Sequence, residues 1–118
     1  MLSTVESRYA ILKGLLAEVE VSTKDSEKLW FTSRVSNTIS DLRNVYGFRI
    51  VTISKKTATG KRYGVYALAY PHDRKDIERI YGLLDEFKKE LLAKYGSKPE
   101  LLRLYLEDGY DDEEPKAS

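Results

Sequence analysis

The chain has 118 residues, of which 42% are hydrophobic and 33% charged, with a net charge of +1; this composition is typical of one soluble globular domain. It contains no cysteine and one histidine, His72, which excludes disulfides and thiolate metal sites and leaves almost nothing for a histidine-dependent catalytic triad. No apolar run approaches the ~18 residues of a membrane span, and we expect no signal peptide. We therefore expect a cytoplasmic protein without metal or cofactor and, because no nucleotide-binding loop is present, not an enzyme.

Charge is unevenly distributed along the chain. From Trp30 to Tyr66 there are seven basic residues and one acid, Asp41, a net charge of +6. From Pro71 to the end there are nine basic and thirteen acidic residues, a net charge of −4. Lysine and arginine bind DNA by neutralising phosphates and releasing counterions, so local charge matters more than the total. The basic half therefore indicates a nucleic-acid partner.

A capping box predicts the start of a first helix. Ser3 supplies the cap, and Glu6 follows three residues later. Apolar residues then recur at helical spacing and predict the buried face: Val5, Tyr9, Leu12, Leu16 and Val19, widened by Ile11 and Leu15. We interpret this helix as core scaffold.

A second, short helix is predicted to begin within Ser22–Asp25, where an acid lies in the first turn. It must end soon, because Thr32 or Ser33 caps the next helix. Two helices joined by so short a turn have the spacing of a helix-turn-helix unit. Trp30 is most simply a core residue; its alternative position is at the DNA backbone.

A third helix has one apolar and one polar face. Residues at positions i, i+4, i+7 and i+11 predict the buried side: Val35, Ile39, Leu42 and Tyr46. The other side combines small hydrogen-bonding residues with arginines: Ser33, Arg34, Ser36, Asn37, Ser40, Arg43 and Asn44. Asparagine can pair with adenine and arginine with guanine. Because serine and asparagine are poor helix formers, we favour a DNA-reading face over the alternative of a merely solvated one.

A β-hairpin is predicted after Gly47, the expected C-cap of the third helix. Two β-rich runs with a period of two flank a loop containing Thr59-Gly60. Four basic residues cluster at the tip: Lys55, Lys56, Lys61 and Arg62. A basic tip beside a reading helix can hold phosphates or enter the minor groove. Lysines also occur on exposed hairpins simply to block edge pairing.

Three segments carry a resemblance to a known family: Arg34–Asn44, Gly47–Thr52 and Gly60–Leu68. They resemble the small winged helix-turn-helix DNA-binding proteins of bacteriophages and other mobile elements, in which a Val-Ser-x-x-Ile-x-x-Leu-Arg pattern forms the recognition helix and an Ile-Val-Thr strand begins the wing. The resemblance covers residues 5 to 70. It implies an α+β fold of three helices and a two-stranded wing over residues 1–70. It places the following residues at recognition-helix positions: Ser36, Asn37, Ser40 and Arg43.

Residues 71–96 have no counterpart in the resemblance. Pro71-His72-Asp73 predicts a turn and cap, followed by a long C-terminal helix that Gly96 ends. A heptad seam on this helix predicts a homodimer interface: Ile77, Ile80, Leu84, Phe87 and Leu91. A second apolar strip adds Leu83, Leu92 and Tyr95. One strip could cover the domain while the other meets a partner copy; the alternative is that one wide face closes the core.

Residues 97–118 comprise a short apolar segment, Pro99 to Leu106, and an acidic tail, Asp108 to Pro115. The apolar segment is expected to pack as a final helix or to contact a partner. The tail is expected to be disordered. It could compete within the chain for the basic surface, bind a basic partner, or be only solvated.

The sequence as a whole predicts sequence-specific binding of double-stranded DNA by a homodimer that does not engage a membrane. The expected role is a viral or plasmid transcriptional regulator or replication accessory factor. The alternative is a winged-helix protein-interaction module that docks on a polymerase or another assembly.

Overall fold

Five helices and three strands form the part of the chain that the structure, a computed structural model, describes: residues 3–23, 26–69 and 74–106. In chain order they are α1 (Val5–Leu16), β1 (Val21–Ser22), α2 (Ser26–Trp30), α3 (Val35–Asn44), β2 (Ile50–Lys56), β3 (Arg62–Leu68), α4 (Arg74–Tyr95) and α5 (Pro99–Leu106). The strands form one antiparallel sheet in the order β1-β3-β2. The fold is therefore α+β. None of the helices in these ranges is both long enough and apolar enough to cross a membrane.

Helix α1 lies at the centre of the core and contacts each of the other helices. Ile11, Leu12 and Leu15 are at most 2% exposed, as the predicted apolar face requires. The predicted capping box is wrong, because Thr4 caps the helix by accepting a hydrogen bond from the Ser7 N–H at 3.3 Å. Glu6 is buried and bonds to α4 rather than to the cap.

Strand β1 occupies the place where the sequence predicted the start of the second helix. Ser22 pairs with Val65 of β3, and α2 begins only at Ser26. The hairpin is therefore part of a three-stranded sheet rather than the predicted two-stranded one. Trp30 at the end of α2 is fully buried, which confirms its interpretation as a core residue. Its indole lies so close to Gly14 that an added Cβ there would be 2.7 Å from Trp30 Cη2.

Helix α3 buries the face that its periodicity predicted, with Val35, Ile39 and Leu42 at most 1% exposed. Tyr46, predicted on the same face, lies beyond the helix end and meets the Phe87 ring edge-on at 5.7 Å. The predicted C-cap is also displaced, because Val45 is the cap. Gly47 follows with a φ of +75°, a backbone conformation that favours glycine.

Strands β2 and β3 pair in register from Ile50 with Leu68 to Lys56 with Arg62. Because side chains alternate across a sheet, Ile50 and Thr52 face α3 while Val51 and Ile53 lie on the opposite face. On that outer face Val51 and Ile53 of β2 are 43% and 44% exposed, whereas Val65 of β3, opposite Ile53, is buried. The hairpin thus extends from the core as a projecting arm beside α3.

Helix α4 covers α1 with the seam that the sequence analysis assigned to a dimer. Four of its five residues are at most 8% exposed within a single chain: Ile80, Leu84, Phe87 and Leu91. Ile77 is half-buried and lines a cavity together with Phe48 and Leu68. The four buried side chains cannot also face a partner copy, so the seam is corrected to the chain's own core. The homodimer stays a prediction and needs other surfaces; the predicted turn at residues 71–73 lies outside the described residues.

Helix α5 packs against α4 and α1 and forms the end of the described chain. The Tyr105 ring lies 5.0 Å from that of Tyr95 and 4.9 Å from that of Phe31, which it meets edge-on. Lys13 on α1 donates from Nζ to the Leu106 carbonyl at 2.8 Å. The apolar segment is therefore a final helix, while the predicted disorder of the acidic tail concerns residues outside the described ranges.

Candidate nucleic-acid interface

The outer face of α3 presents small polar side chains to solvent. Ser36, Asn37, Ser40 and Asn44 are all exposed, because a helix turns by 100° per residue and the buried positions lie opposite. Asn44 Nδ2 donates to Ser40 Oγ at 3.0 Å, one turn away. Short side chains allow the helix backbone to come close to a binding partner, as is required of a helix in the major groove.

The only acid of the basic segment, Asp41, lies at the edge of this face and is bonded to Ser3. Its Oδ2 accepts hydrogen bonds from the backbone N–H and from the hydroxyl of Ser3, both at 2.8 Å. Asp41 is half-buried, and none of the fully exposed side chains of α3 is a carboxylate. The centre of the outer face therefore offers uncharged donors and acceptors, and the one carboxylate of the helix lies at its edge, bonded to Ser3.

Arg43 connects α3 to the hairpin. Its Nε donates to the Ile50 carbonyl at 2.9 Å and its Nη2 to Thr52 Oγ1 at 3.2 Å. Its guanidinium also lies 6.0 Å from the centre of the Tyr66 ring. The sequence placed Arg43 among the base-reading residues, but these contacts make it a half-buried link that orients β2 relative to α3.

The hairpin tip exposes the four predicted basic side chains, but they are not equivalent. Lys55 Nζ forms an ion pair with Glu20 Oε2 at 3.0 Å, and this hydrogen bond raises the pKa of Lys55. Within the described part of the chain no carboxylate pairs with Lys56, Lys61 or Arg62. These three cations therefore remain available to an anionic partner.

Arg34, exposed directly before α3, adds a further cation at the N-terminal end of the outer face of α3; Ser33 beside it is exposed as well. This arginine, the outer residues of α3 and the three tip cations without a carboxylate partner in the described residues form one set, which we call the α3–wing surface. Its members are Arg34, Ser36, Asn37, Ser40, Asn44, Lys56, Lys61 and Arg62. The predicted polar residues thus lie along the outer face of α3, and the predicted basic residues lie on the hairpin that follows it.

Arg49 is an exposed cation outside the set of predicted site residues. Its side chain is 66% exposed, and its Nη2 lies 3.3 Å from Asp76 Oδ2 at the start of α4. Asp76 also pairs with Arg79, whose guanidinium lies 4.7 Å from the centre of the Phe48 ring. The alternation of Arg49 with apolar Phe48 and Ile50 was the signal for its exposure. A single carboxylate between two arginines leaves this corner of the fold basic.

In the described ranges, no group of three or more His, Cys, Asp or Glu side chains is placed so that it could hold a metal ion. His72 lies outside those ranges. The comparisons with known proteins add no name: no family model, no curated protein and no solved structure matches this chain.

Proposed function

We propose that this chain is a winged helix-turn-helix protein that binds double-stranded DNA in a sequence-specific manner. Helix α2 ends at Trp30 and α3 begins at Val35, so a four-residue turn joins them, as in helix-turn-helix units. The β2–β3 hairpin follows directly as the wing. In this arrangement α3 enters the major groove and the wing grips the flanking backbone. The role that fits is a viral or plasmid transcriptional regulator or a replication accessory factor.

The observation that carries the proposal is the composition of the exposed face of α3. An ordinary solvent-facing helix is covered by glutamate, lysine and glutamine, which favour the helix. Here Ser36, Asn37 and Ser40 are exposed instead, and Asp41 is held by Ser3. These short hydrogen-bonding side chains have a lower helix propensity than the usual surface residues, but they allow close contact with base edges.

The wing and Arg34 supply the non-specific part of the binding energy. Lys56, Lys61 and Arg62 lie at the hairpin tip and Arg34 lies before α3. Each phosphate that such a cation neutralises lowers the slope of log K against log salt by about 0.9. Four contacts would therefore reduce affinity by roughly two orders of magnitude between about 50 and 200 mM salt.

The test begins with selection of a duplex from a randomised pool by the full-length chain. Fluorescence anisotropy then gives the dissociation constants of the selected and scrambled duplexes at about 50 and 200 mM salt. We expect a preference for the selected duplex of at least about 10³-fold and a steep loss with salt. No binding at the lower salt, or equal binding of both duplexes, contradicts the proposal.

A pair of alanine variants separates base reading from folding. Asn37→Ala should weaken binding of the selected duplex by about 5- to 150-fold, the cost of one bidentate base contact, and leave binding of the scrambled duplex unchanged. Ser97→Ala, an exposed change just beyond α4, should alter neither. If both variants bind the selected duplex like the parent, α3 does not read bases through Asn37.

The outer face of the sheet favours a second candidate function, docking on another protein. Val51 and Ile53 are exposed there on β2, one of the two edge strands of the sheet. Exposed apolar side chains on an edge strand suit recognition by another chain. The double variant Val51→Thr with Ile53→Thr keeps β-branching. This variant should leave DNA binding unchanged. If the second function holds, the variant should no longer bind a protein partner that the parent binds, and unchanged partner binding contradicts it.

A further inference from the structure

The described chain ends beside the α2–α3 turn. Tyr105 of α5 meets the ring of Phe31 edge-on at 4.9 Å, and Phe31 precedes Arg34 by three residues. Lys13 fixes the last turn of α5 through the Leu106 carbonyl at 2.8 Å. The last two described residues are thus fixed by Phe31, three residues before Arg34, and by Lys13 of α1.

The segment that follows is strongly acidic. Residues 107–118 contain six acids and one lysine, Lys116, a net charge of −5. The segment from Trp30 to Tyr66 carries a net charge of +6. The acidic segment thus follows directly after Tyr105 and Leu106, and Tyr105 packs on Phe31 near the basic end of α3.

The length of the acidic segment matches the surface beside it. Eight residues, Glu107–Glu114, reach up to about 26 Å when extended. Helix α3, with ten residues, is about 15 Å long. The segment can therefore run along α3 toward the wing. A tether this short gives an effective concentration in the millimolar range, so even weak ion pairs are populated.

We infer that the acidic segment Glu107–Glu114 binds the α3–wing surface of its own chain and competes with DNA for it. The carboxylates take the place of DNA phosphates on Arg34 and lie along the outer face of α3 toward the wing, whose cations Lys56, Lys61 and Arg62 pair with no carboxylate of the described residues. This inference rests on the proposed function for its consequence, but the contact itself can be detected without DNA. The device would suppress non-specific binding, which depends on the same cations, while a specific duplex adds base contacts that the segment does not supply.

The experiment compares three full-length proteins. The first is the parent. The second neutralises the tail by Asp111→Asn, Asp112→Asn, Glu113→Gln and Glu114→Gln. The third makes the same change in net charge at exposed positions on α4 and α5: Asp85→Asn, Glu86→Gln, Glu90→Gln and Glu100→Gln. This matched control separates the location of the acids from total charge.

The first readout is the side-chain amide NMR signals of Asn37 and Asn44 without DNA. We expect them to shift in the tail variant, to remain at their parent positions in the matched control, and to be independent of protein concentration. Absence of a shift, or the same shift in both variants, overturns the inference. Shifts in the parent that grow with protein concentration also overturn it, because they would assign the contact to a second copy.

The second readout is the affinity for a mixed-sequence duplex at about 50 mM salt. The tail variant should bind about tenfold tighter than the parent, and the matched control should change less than about twofold. Equal tightening in both variants overturns the competition with DNA. If the amide signals shift as expected but no protein binds DNA, the intramolecular contact stands and the proposed function fails.

Discussion

Ser3 holds the carboxylate of Asp41 with two hydrogen bonds, both at 2.8 Å, one from its backbone N–H and one from its hydroxyl. This contact joins the segment before α1 to the second turn of α3, across 38 positions of sequence. It stabilises the packing of α3 on α1, and it holds the only acid of the basic segment at the edge of the surface proposed to face DNA.

Replacement of Asp41 by alanine should lower the free energy of unfolding by about 1–2 kcal/mol, because hydrogen bonds to a charged group contribute about 1.5–3 kcal/mol and this one is partly exposed. Urea denaturation measures the change. Ser40→Ala on the exposed side of the same helix is the control and should be neutral or slightly stabilising. An equal decrease in the free energy of unfolding in both variants would show that the hydrogen bonds from Ser3 do not contribute to stability.

The ion pair between Glu20 and Lys55 should restrain the wing's affinity for DNA. Glu20→Gln releases Lys55, so non-specific binding should tighten and the salt slope should steepen by about 0.9. Lys61→Ala should make the slope shallower by the same amount, whereas Lys55→Ala in the parent should change it less. Anisotropy titrations across a salt series give the slopes. Glu100→Gln, distant on α5, is the charge-matched control for Glu20→Gln, and identical slopes for the two variants would contradict this prediction.

Gly14→Ala should destabilise the fold although alanine is the better helix former. The added Cβ would lie 2.7 Å from Trp30 Cη2 in a site where the indole is fully buried. Overpacking of this kind costs about 1–3 kcal/mol, which exceeds the ~1 kcal/mol gained in helix propensity. The matched control is Gly82→Ala on α4, where nothing lies within 4 Å and the propensity gain should appear alone. If the melting temperatures of the Gly14→Ala and Gly82→Ala variants change in the same direction relative to the parent, this explanation is wrong.

Glu6 should make the stability of the fold depend on acidic pH. Burial by itself would raise the pKa of this carboxyl, but hydrogen bonds from Tyr95 and Lys94 outweigh it and lower the pKa below its ordinary value of 4.5. A lowered folded-state pKa means that the stabilisation is fully present above about pH 4.5 and is lost as the pH falls through the folded-state pKa. The parent should therefore lose this contribution below pH 4.5.

Glu6→Gln tests the assignment, since an amide cannot titrate. The difference in unfolding free energy between pH 7 and about pH 3 should shrink in this variant. Glu86→Gln, exposed on α4, should leave the difference as in the parent. Urea denaturation at both pH values measures it, and an unchanged difference in Glu6→Gln would assign the acid sensitivity to other carboxyls.

Local patterns predicted the elements and the faces they bury. The spacing of Val35, Ile39 and Leu42 placed the polar residues of α3 on the exposed side, and the period-two run after Gly47 predicted the hairpin. Strand β1 was missed because two residues are too few for a periodic signal; they form a strand only because β3 lies beside them. Whether the exposed face of α3 contacts DNA is a prediction for the binding experiment.

The sequence by itself determined which faces are apolar, where the basic charge concentrates, and which residues are too small or too polar for an ordinary helix surface. These properties follow from side-chain chemistry and the periods of helix and strand. Only the tertiary structure decided what covers each face. The α4 seam meets its own α1, Arg43 reaches β2, and Ser3 captures Asp41. Periodicity encodes the direction of a side chain, whereas the identity of its partner depends on how distant segments close around a common core.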